Sequence, residues 1–176
     1  MDIDNKTFQA ISLKVPPQDL TAEQALLGAI MIKPESLSEV ADFLRPNSFY
    51  AGKHRIIFSA MMELSDKNEP IDAVSLTSLL KNKKQLEIIG GRSYLAELIN
   101  SVPSAGNIKH YGEIVAKKYT LRNLLNVADQ IINLGHNEVE EVDSILDRVE
   151  KLVLNIFNSS QKKYVSLKDS LAEAWE

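Results

Sequence analysis

Two long helical patterns in the C-terminal half constrain the fold of this chain more than any other feature. From Ser104 to Gly135, apolar residues recur at the 3.6-residue spacing of a helix, over roughly 45 Å at 1.5 Å per residue. From Val142 to Ile156, apolar residues lie alternately three and four positions apart. Because the connection is short, we expect an antiparallel helical hairpin. We also expect Ser104 to cap the first helix and Gly135 to end it in a left-handed conformation.

The first helix of this hairpin carries two apolar stripes, more than one partner helix can cover. One stripe consists of Leu121, Leu125, Ala128 and Ile132, and the other, rotated by about 100°, of Leu124, Ile131 and Leu134. The rest of the domain could cover the surplus, but an apolar stripe on a projecting rod favours association with another chain. The self-association candidates on the two helices are Leu121, Leu124, Leu134, Ile145, Leu152 and Ile156.

Composition excludes several classes of protein. The 176 residues, 44% of them hydrophobic, suit one domain with an appendage. A net charge of −4 without a basic block does not favour nucleic-acid binding by this chain alone. The absence of cysteine excludes disulfides, thiolate metal sites and cysteine nucleophiles. No apolar run is long enough to cross a bilayer and residues 1–17 lack a secretory signal, so we expect a cytoplasmic protein without a membrane partner.

Proline, glycine and capping residues divide the rest of the chain into short helices. Thr21 and Gln24 have the spacing of a capping box at the start of the first helix, and Asp72 is placed to cap a fourth. Pro34 suits the first turn of a second helix. No alternating strand pattern occurs. The predicted fold is all-α: a compact globular helical bundle, a long antiparallel helical hairpin and a short C-terminal linker helix.

The predicted divisions are a flexible arm (1–17), a globular helical head (18–101), the hairpin (104–160), and a linker with the start of a linker helix (161–176). In the last division, Ser166 can cap an amphipathic segment whose apolar side needs a surface supplied by something else. A tail packed on its own bundle and a cloning scar are the alternatives.

No catalytic or metal-binding constellation is evident, and we predict no catalytic, cofactor or metal site in this chain. A P-loop, which would cradle nucleotide phosphates, is absent. Gly90-Gly91-Arg92-Ser93 could form an anion nest, but a helix end followed by a turn is the favoured interpretation. His54, His110 and His136 are too dispersed for a metal pair, so we assign them surface or packing roles. The acidic run from Glu138 to Asp143 could be taken for a metal site, but stabilisation of a helix N-terminus by negative charge is the simpler interpretation.

Many short motifs, in order along the chain, resemble the N-terminal region of the bacterial replicative hexameric DNA helicase of the DnaB type. They are Pro16-Pro17-Gln18, Ala22-Glu23-Gln24-Ala25-Leu26-Leu27-Gly28, Phe49-Tyr50, His54, Ile57-Phe58, Pro70-Ile71-Asp72, Val74, Leu86-Glu87, Gly90-Gly91, Tyr94-Leu95, Leu98, Val102-Pro103, Asn107, Tyr111 and Ile114-Val115. The resemblance extends from about Pro16 to Glu176.

This resemblance implies a six-helix head with a hairpin, hairpins that pair head to head, and a collar of three dimers over a hexameric ring of ATPase domains. It implies binding to a primase and a helicase loader, contact with single-stranded DNA only through the full hexamer, and a location at the cytoplasmic replisome. ATP and Mg²⁺ are expected only in the ATPase domain, which this sequence lacks. That lack, and an end within an amphipathic helix, indicate truncation, with a natural short protein as the alternative.

Two sets of candidate residues follow. A partner surface should combine an aromatic or aliphatic anchor with a rigid platform, so the primase-binding candidates are Tyr94, Leu125 and Ile131, and the resemblance points to the same head and hairpin. A core role for all three is the alternative. The residues expected to dock the linker helix on a neighbouring subunit are Leu167, Leu171 and Trp175.

Three other functions are possible from the sequence alone. The helicase-binding C-terminal domain of a primase has a similar helical architecture, but the head motifs favour the helicase. A helical nucleic-acid-binding module would need a basic patch, which is missing, and its affinity for DNA would fall steeply with salt. An enzyme is disfavoured because no catalytic set of residues is present.

Overall fold

The computed structural model describes residues 15–137 and 139–161, and these ranges contain eight α-helices and no strand. The helices are α1 (Leu20–Ile32), α2 (Ser38–Ala41), α3 (Gly52–Asp66), α4 (Ala73–Asn82), α5 (Leu86–Ile89), α6 (Gly91–Asn100), α7 (Ile108–Gly135) and α8 (Val142–Gln161). Short 3₁₀ turns at Pro34–Leu37, Pro46–Ser48 and Ala105–Asn107 precede α2, α3 and α7. The predicted all-α fold is confirmed. Most of the arm predicted at 1–17 (residues 1–14) and of the linker predicted at 161–176 (residues 162–176, with Leu167, Leu171 and Trp175) lies outside the described residues.

Helix α1 is the centre of the head and packs against α6 and α7. Its side chains are buried on nearly every face from Ala22 to Met31, as expected for a core helix rather than a surface one. Gly28 allows α1 and α6 to approach closely, since a Cβ atom there would lie 2.1 Å from the carbonyl oxygen of Leu98. The head is therefore assembled around a helix that has almost no solvent-facing side.

The helix caps of the head agree with the sequence in one case and differ in another. Asp72 caps α4, and its Oδ1 accepts hydrogen bonds from the backbone N–H groups of Val74 (2.9 Å) and Ser75 (2.8 Å). The capping box predicted at Thr21 is wrong. Helix α1 begins at Leu20, and Asp19 caps it by accepting from the N–H of Ala22 at 2.9 Å. Asp is at least as good an N-cap as Thr, so the helix gains two residues, Leu20 and Thr21.

The glycines near two helix ends also behave differently from one another. Gly90 ends α5 with φ of 102°, which confirms the helix-end interpretation of the Gly90-Gly91 pair. The left-handed end predicted at Gly135 is wrong, because Gly135 has no positive φ and His136, the C-cap of α7, is in the right-handed region. The N–H of His136 bonds to the carbonyl of Ile132 at 3.3 Å, so the helical bonding continues past the glycine.

The core of the head includes the start of α7. Ile108 and Val115 are buried in the same cluster as the aromatic pair Phe49 and Phe58, whose ring centroids are 4.9 Å apart. Helix α7 has 28 residues, about 42 Å in length, and only its first turns contribute to this cluster. The remainder of α7, with α8 folded back against it, forms the hairpin. No helix among the described residues has the length and apolar character needed to cross a membrane.

Candidate partner-binding surfaces and the polar network behind them

The side of α7 that faces neither the head nor α8 is apolar. Leu121, Leu124, Leu125 and Ile132 are between 38% and 47% exposed. They recur three or four positions apart, with the exposed Ala128 between them, and therefore form one continuous sector of the helix. This sector, called the apolar face of α7 below, is the surplus surface that the sequence predicts.

The adjoining sector of α7 packs against α8. Ile131 is half-buried and Leu134 is buried, and on α8 the side chains of Ile145, Leu152 and Ile156 are half-buried. The prediction that Leu134 belongs to an exposed association surface is therefore wrong, because this residue closes the end of the hairpin. The other self-association candidates retain exposed surface.

Glu140 organises the start of α8. Its carboxylate accepts hydrogen bonds from the Ser144 hydroxyl (2.7 Å), Arg148 Nη1 (2.8 Å) and the Asn137 amide (3.2 Å). These hydrogen bonds hold the pKa of Glu140 below its ordinary value, and the bond from Ser144 has the largest effect. The acidic residue thus has the structural role at a helix N-terminus that its position predicts.

Arg122 fixes the hairpin to the head. Its guanidinium donates to the carbonyl oxygens of Pro17 (2.7 Å) and Ser48 (2.6 Å), and it lies 5.7 Å from the ring centroid of Tyr50 and 5.8 Å from that of Tyr119. Burial lowers its pKa, a shift that the nearby Glu23 charge opposes, but a guanidinium stays protonated in proteins. One side chain of α7 therefore joins the loops before α1 and α3.

A polar network crosses the interior of the head behind Tyr94. Glu23 is 2% exposed, and its two carboxylate oxygens accept from the backbone N–H of Tyr50 (2.6 Å) and of Ala51 (3.3 Å) at the start of α3. His54 Nδ1 lies 2.6 Å from Glu23 Oε2, and His54 Nε2 lies 2.6 Å from the Tyr94 hydroxyl. Helices α1, α3 and α6 are thereby joined by one chain of hydrogen bonds.

The hydrogen bonds assign the protons of this network. The Glu23 carboxylate oxygens are acceptors, so in the hydrogen bond between His54 Nδ1 and Glu23 Oε2 the proton is on Nδ1. The Tyr94 hydroxyl accepts from the Gln24 amide at 3.3 Å and can donate to His54 Nε2. The polar side-chain atoms of Glu23, His54 and Tyr94 all have hydrogen-bond partners, which is the condition under which such groups can be buried. His54 has the packing role predicted for it.

Tyr94 is not an exposed anchor. It is 6% exposed, its ring stacks on that of His54 with centroids 6.0 Å apart, and Lys53 Nζ lies 3.5 Å above its ring centroid. Of the three primase-binding candidates, Tyr94 is buried, Ile131 is half-buried and Leu125 lies on the apolar face of α7. The Lys53 ammonium group covers one face of the Tyr94 ring, so a partner that approaches this face would meet Lys53 first.

Sequence reasoning did not single out Glu23, Lys53 or Arg122. Glu23 gives one signal, because it is an acidic residue inside a helix that is otherwise apolar on most faces. Lys53 and Arg122 give none, since each is an ordinary cation on an amphipathic helix until its long-range partner is known.

Comparison with known proteins gives these surfaces a context. A family model described as "DnaB-like helicase N terminal domain" matches residues 15–117. The replicative DNA helicase DnaB of Geobacillus stearothermophilus is 37% identical over 172 residues, which are 96% of this chain and 37% of that protein. The replicative DNA helicase DnaC of Bacillus subtilis is 38% identical over 164 residues, 93% of this chain and 36% of that protein. The chain therefore spans just over a third of the length of these relatives.

Two solved structures have the same fold. The N-terminal domain of DnaB helicase from Mycobacterium tuberculosis matches with a TM-score of 0.76 and 35% identity, over 80% of this chain and 99% of that one. A structure described as that of a DnaB-like replicative helicase and its interactions with primase matches with a TM-score of 0.62 and 33% identity, over 76% of this chain and 31% of that one. With the family model matched over more than half of its residues, this chain belongs to the DnaB-like helicase N-terminal domains.

Proposed function

We propose that this chain is an assembly module of a replicative helicase: it associates with copies of itself through the hairpin and presents the hairpin and head to a primase. The observation that carries the proposal is the apolar face of α7. Scattered exposed aliphatic residues are normal on a protein surface, but four in one sector of a projecting helix favour an interface.

The relatives support the same assignment. The chain shares its family with replicative helicases, and one structural neighbour is described together with its interactions with primase. By this resemblance, the assembly is a dimer that builds a hexameric collar in DNA replication, and a helicase loader is a further partner. We assign ATP, Mg²⁺ and unwinding of DNA to the full-length helicase, because no P-loop occurs in these 176 residues.

Self-association is tested by mass photometry and sedimentation of the whole chain. Leu121→Asp combined with Leu124→Asp places charge on the apolar face of α7, at side chains that are 38% and 46% exposed. We expect oligomers of the wild-type chain to be lost while the melting temperature changes little. Ile88→Asp is the matched control, because Ile88 is 65% exposed on the head. Unchanged oligomers in the α7 variant would contradict the proposal.

Primase binding is tested separately with the primase C-terminal domain. Leu125→Ser and Lys53→Ala alter exposed or half-exposed groups, whereas Tyr94→Phe removes only a buried hydroxyl. If Leu125 contacts primase and Lys53 covers Tyr94, the first two changes weaken binding with the fold intact. Tyr94→Phe should lower stability rather than affinity. Normal primase affinity in both Leu125→Ser and Lys53→Ala would remove the docking assignment.

A further inference from the structure

A groove between α4 and α6 is formed entirely by residues of the head. Its volume is about 450 Å³. Val74, Ser78 and Lys81 line it from α4, and Arg92, Ala96 and Ile99 from α6. On each helix these residues are four and then three positions apart, so they form one stripe facing the groove. None of them belongs to the hairpin or to the network behind Tyr94.

The middle of the groove is shaped to receive another helix. Ser78 and Ala96 are small and exposed, and the Thr77 hydroxyl is already bonded to the Ala73 carbonyl at 2.6 Å. Small residues between two packed helices leave a valley in which side chains of a third helix can lie. An amphipathic helix can bind in a groove between two such helices, with its own face against their matching stripes of side chains.

One end of the groove is apolar. Val74 is 78% exposed and Ile99 is half-buried. Because only the short α5 connects α4 to α6, the two helices are expected to be antiparallel, which places Ile99 across from Val74. Val74 is in the first turn of α4, where Oδ1 of the neighbouring Asp72 accepts hydrogen bonds from two backbone N–H groups. The side chains of Val74 and Ile99, which line this end, offer an uncharged aliphatic surface.

The other end is basic. Lys81 and Arg92 are exposed, and within the described part of the chain neither side chain makes a hydrogen bond, ion pair or ring contact. The residues lining the groove include no acidic side chain, although the chain as a whole has a net charge of −4. An occupant with negative charge at this end would complement both cations.

We propose that the α4/α6 groove binds an amphipathic helix of a partner protein, with aliphatic side chains at the Val74–Ile99 end and carboxylates at the Lys81–Arg92 end. Val74 and Lys81 are seven residues apart on α4, or about 10 Å, so the aliphatic and acidic groups of the ligand helix lie two turns apart. A nucleic acid would use the two cations but not the apolar half, and its binding normally needs a larger basic patch.

Fluorescence anisotropy of the whole chain with a labelled helical peptide tests this site. The peptide has about four turns, with leucine at positions i and i+4 and glutamate at i+7 and i+8. Lys81→Glu with Arg92→Glu should weaken binding about tenfold, since each exposed ion pair contributes a modest amount. A peptide with lysine in place of glutamate should bind that variant better than it binds the wild-type chain. Lys117→Glu, an exposed cation on α7, is the matched control.

A separate variant tests the apolar end of the groove. Val74→Asp should weaken binding of the glutamate peptide by at least tenfold, whereas Ile88→Asp, an equally exposed change outside the groove, should leave it unaltered. Absence of peptide binding to the wild-type chain, or equal binding by Val74→Asp, would overturn the proposal. So would tighter binding of a short single-stranded DNA that is lost in Lys81→Glu with Arg92→Glu. Oligomers of the wild-type chain that Val74→Asp abolishes would identify a second copy as the occupant instead.

Discussion

In the head, most of the large aliphatic and aromatic side chains of α1, α3 and α6 are buried, and Leu20 and Ile32 at the two ends of α1 are the exposed exceptions. In the hairpin beyond Val115, Leu134 is the only buried hydrophobic side chain among the described residues, and four others of α7 are more than a third exposed. The two regions have similar helix-forming sequences, but the head buries most of its large apolar side chains internally, with exceptions such as Val74 and Ile88, whereas the hairpin buries few of its own.

This difference separates the roles of the two regions. Substitutions in the head should act on the free energy of unfolding, because its apolar and polar groups are buried together. Substitutions on the hairpin should act mainly on association, because their side chains gain most of their burial only from another molecule. The predictions below test this division, from the largest effect to the smallest.

The largest effect is expected from the buried network. Glu23→Ala leaves the backbone N–H groups of Tyr50 and Ala51 and the His54 ring without their acceptor, so we expect a loss of about 3–5 kcal/mol in the free energy of unfolding. Glu150→Ala, at an exposed position of α8, should change it by less than about 0.5 kcal/mol. Urea denaturation measures both, and similar losses in the two variants would show that the division is false.

Glycine-to-alanine substitutions should lower the free energy of unfolding in the head and raise it in the hairpin. Gly28→Ala places a Cβ atom against the Leu98 carbonyl and Val102, so α1 and α6 must separate, and we expect a loss of about 1–3 kcal/mol. Gly135→Ala meets no atom within 4 Å and lies in right-handed helix, so it should stabilise by up to about 1 kcal/mol. Thermal unfolding compares them. Two losses of equal size would mean that the last turn of α7 is as tightly packed as the head.

The elements of the fold could be predicted from the sequence because each has a local signal. The repeating apolar spacing of α7 and α8 and the Asp72 cap depend only on residues a few positions apart. The surplus apolar surface of α7 could be predicted for the same reason. Which sector faces α8 could not, because Leu124 and Leu134 are equally apolar and only packing distinguishes them.

The polar network behind Tyr94 and the attachment of the hairpin to the head by Arg122 could not be predicted, because both depend on residues that are far apart in the sequence. Gln24 and Tyr94 are 70 positions apart, and Arg122 lies 105 positions from Pro17. No local spacing relates such pairs. The cap at Asp19 was missed for a different reason, since Asp19 and Thr21 are both good caps and the sequence alone does not choose between them.

Arg122 tests whether head and hairpin are joined through one side chain. Arg122→Gln removes charged donors from two backbone carbonyls, and hydrogen bonds to charged groups predict a loss of about 1.5–3 kcal/mol. Lys117→Gln, at an exposed position of the same helix, is the control. Amide exchange should accelerate in the Pro17 and Ser48 loops but not at the tip of the hairpin. Acceleration throughout α8 instead would mean that Arg122 stabilises the hairpin itself.

The smallest effect concerns Glu140 at the hairpin tip. Because the pKa of Glu140 is lowered in the folded chain, its contribution to stability is present at neutral pH and is lost as the pH falls below 4.5, the ordinary value, and through the folded pKa. A carboxyl NMR titration should therefore give a midpoint below 4.5. Ser144→Ala and Arg148→Gln each remove one hydrogen bond and should move the midpoint upward, the two together more than either alone. Because the group is exposed, global stability should scarcely change. If the midpoint is the same in all these variants, the bonds that organise the start of α8 do not form in solution, and the tip of the hairpin is less ordered than its helices.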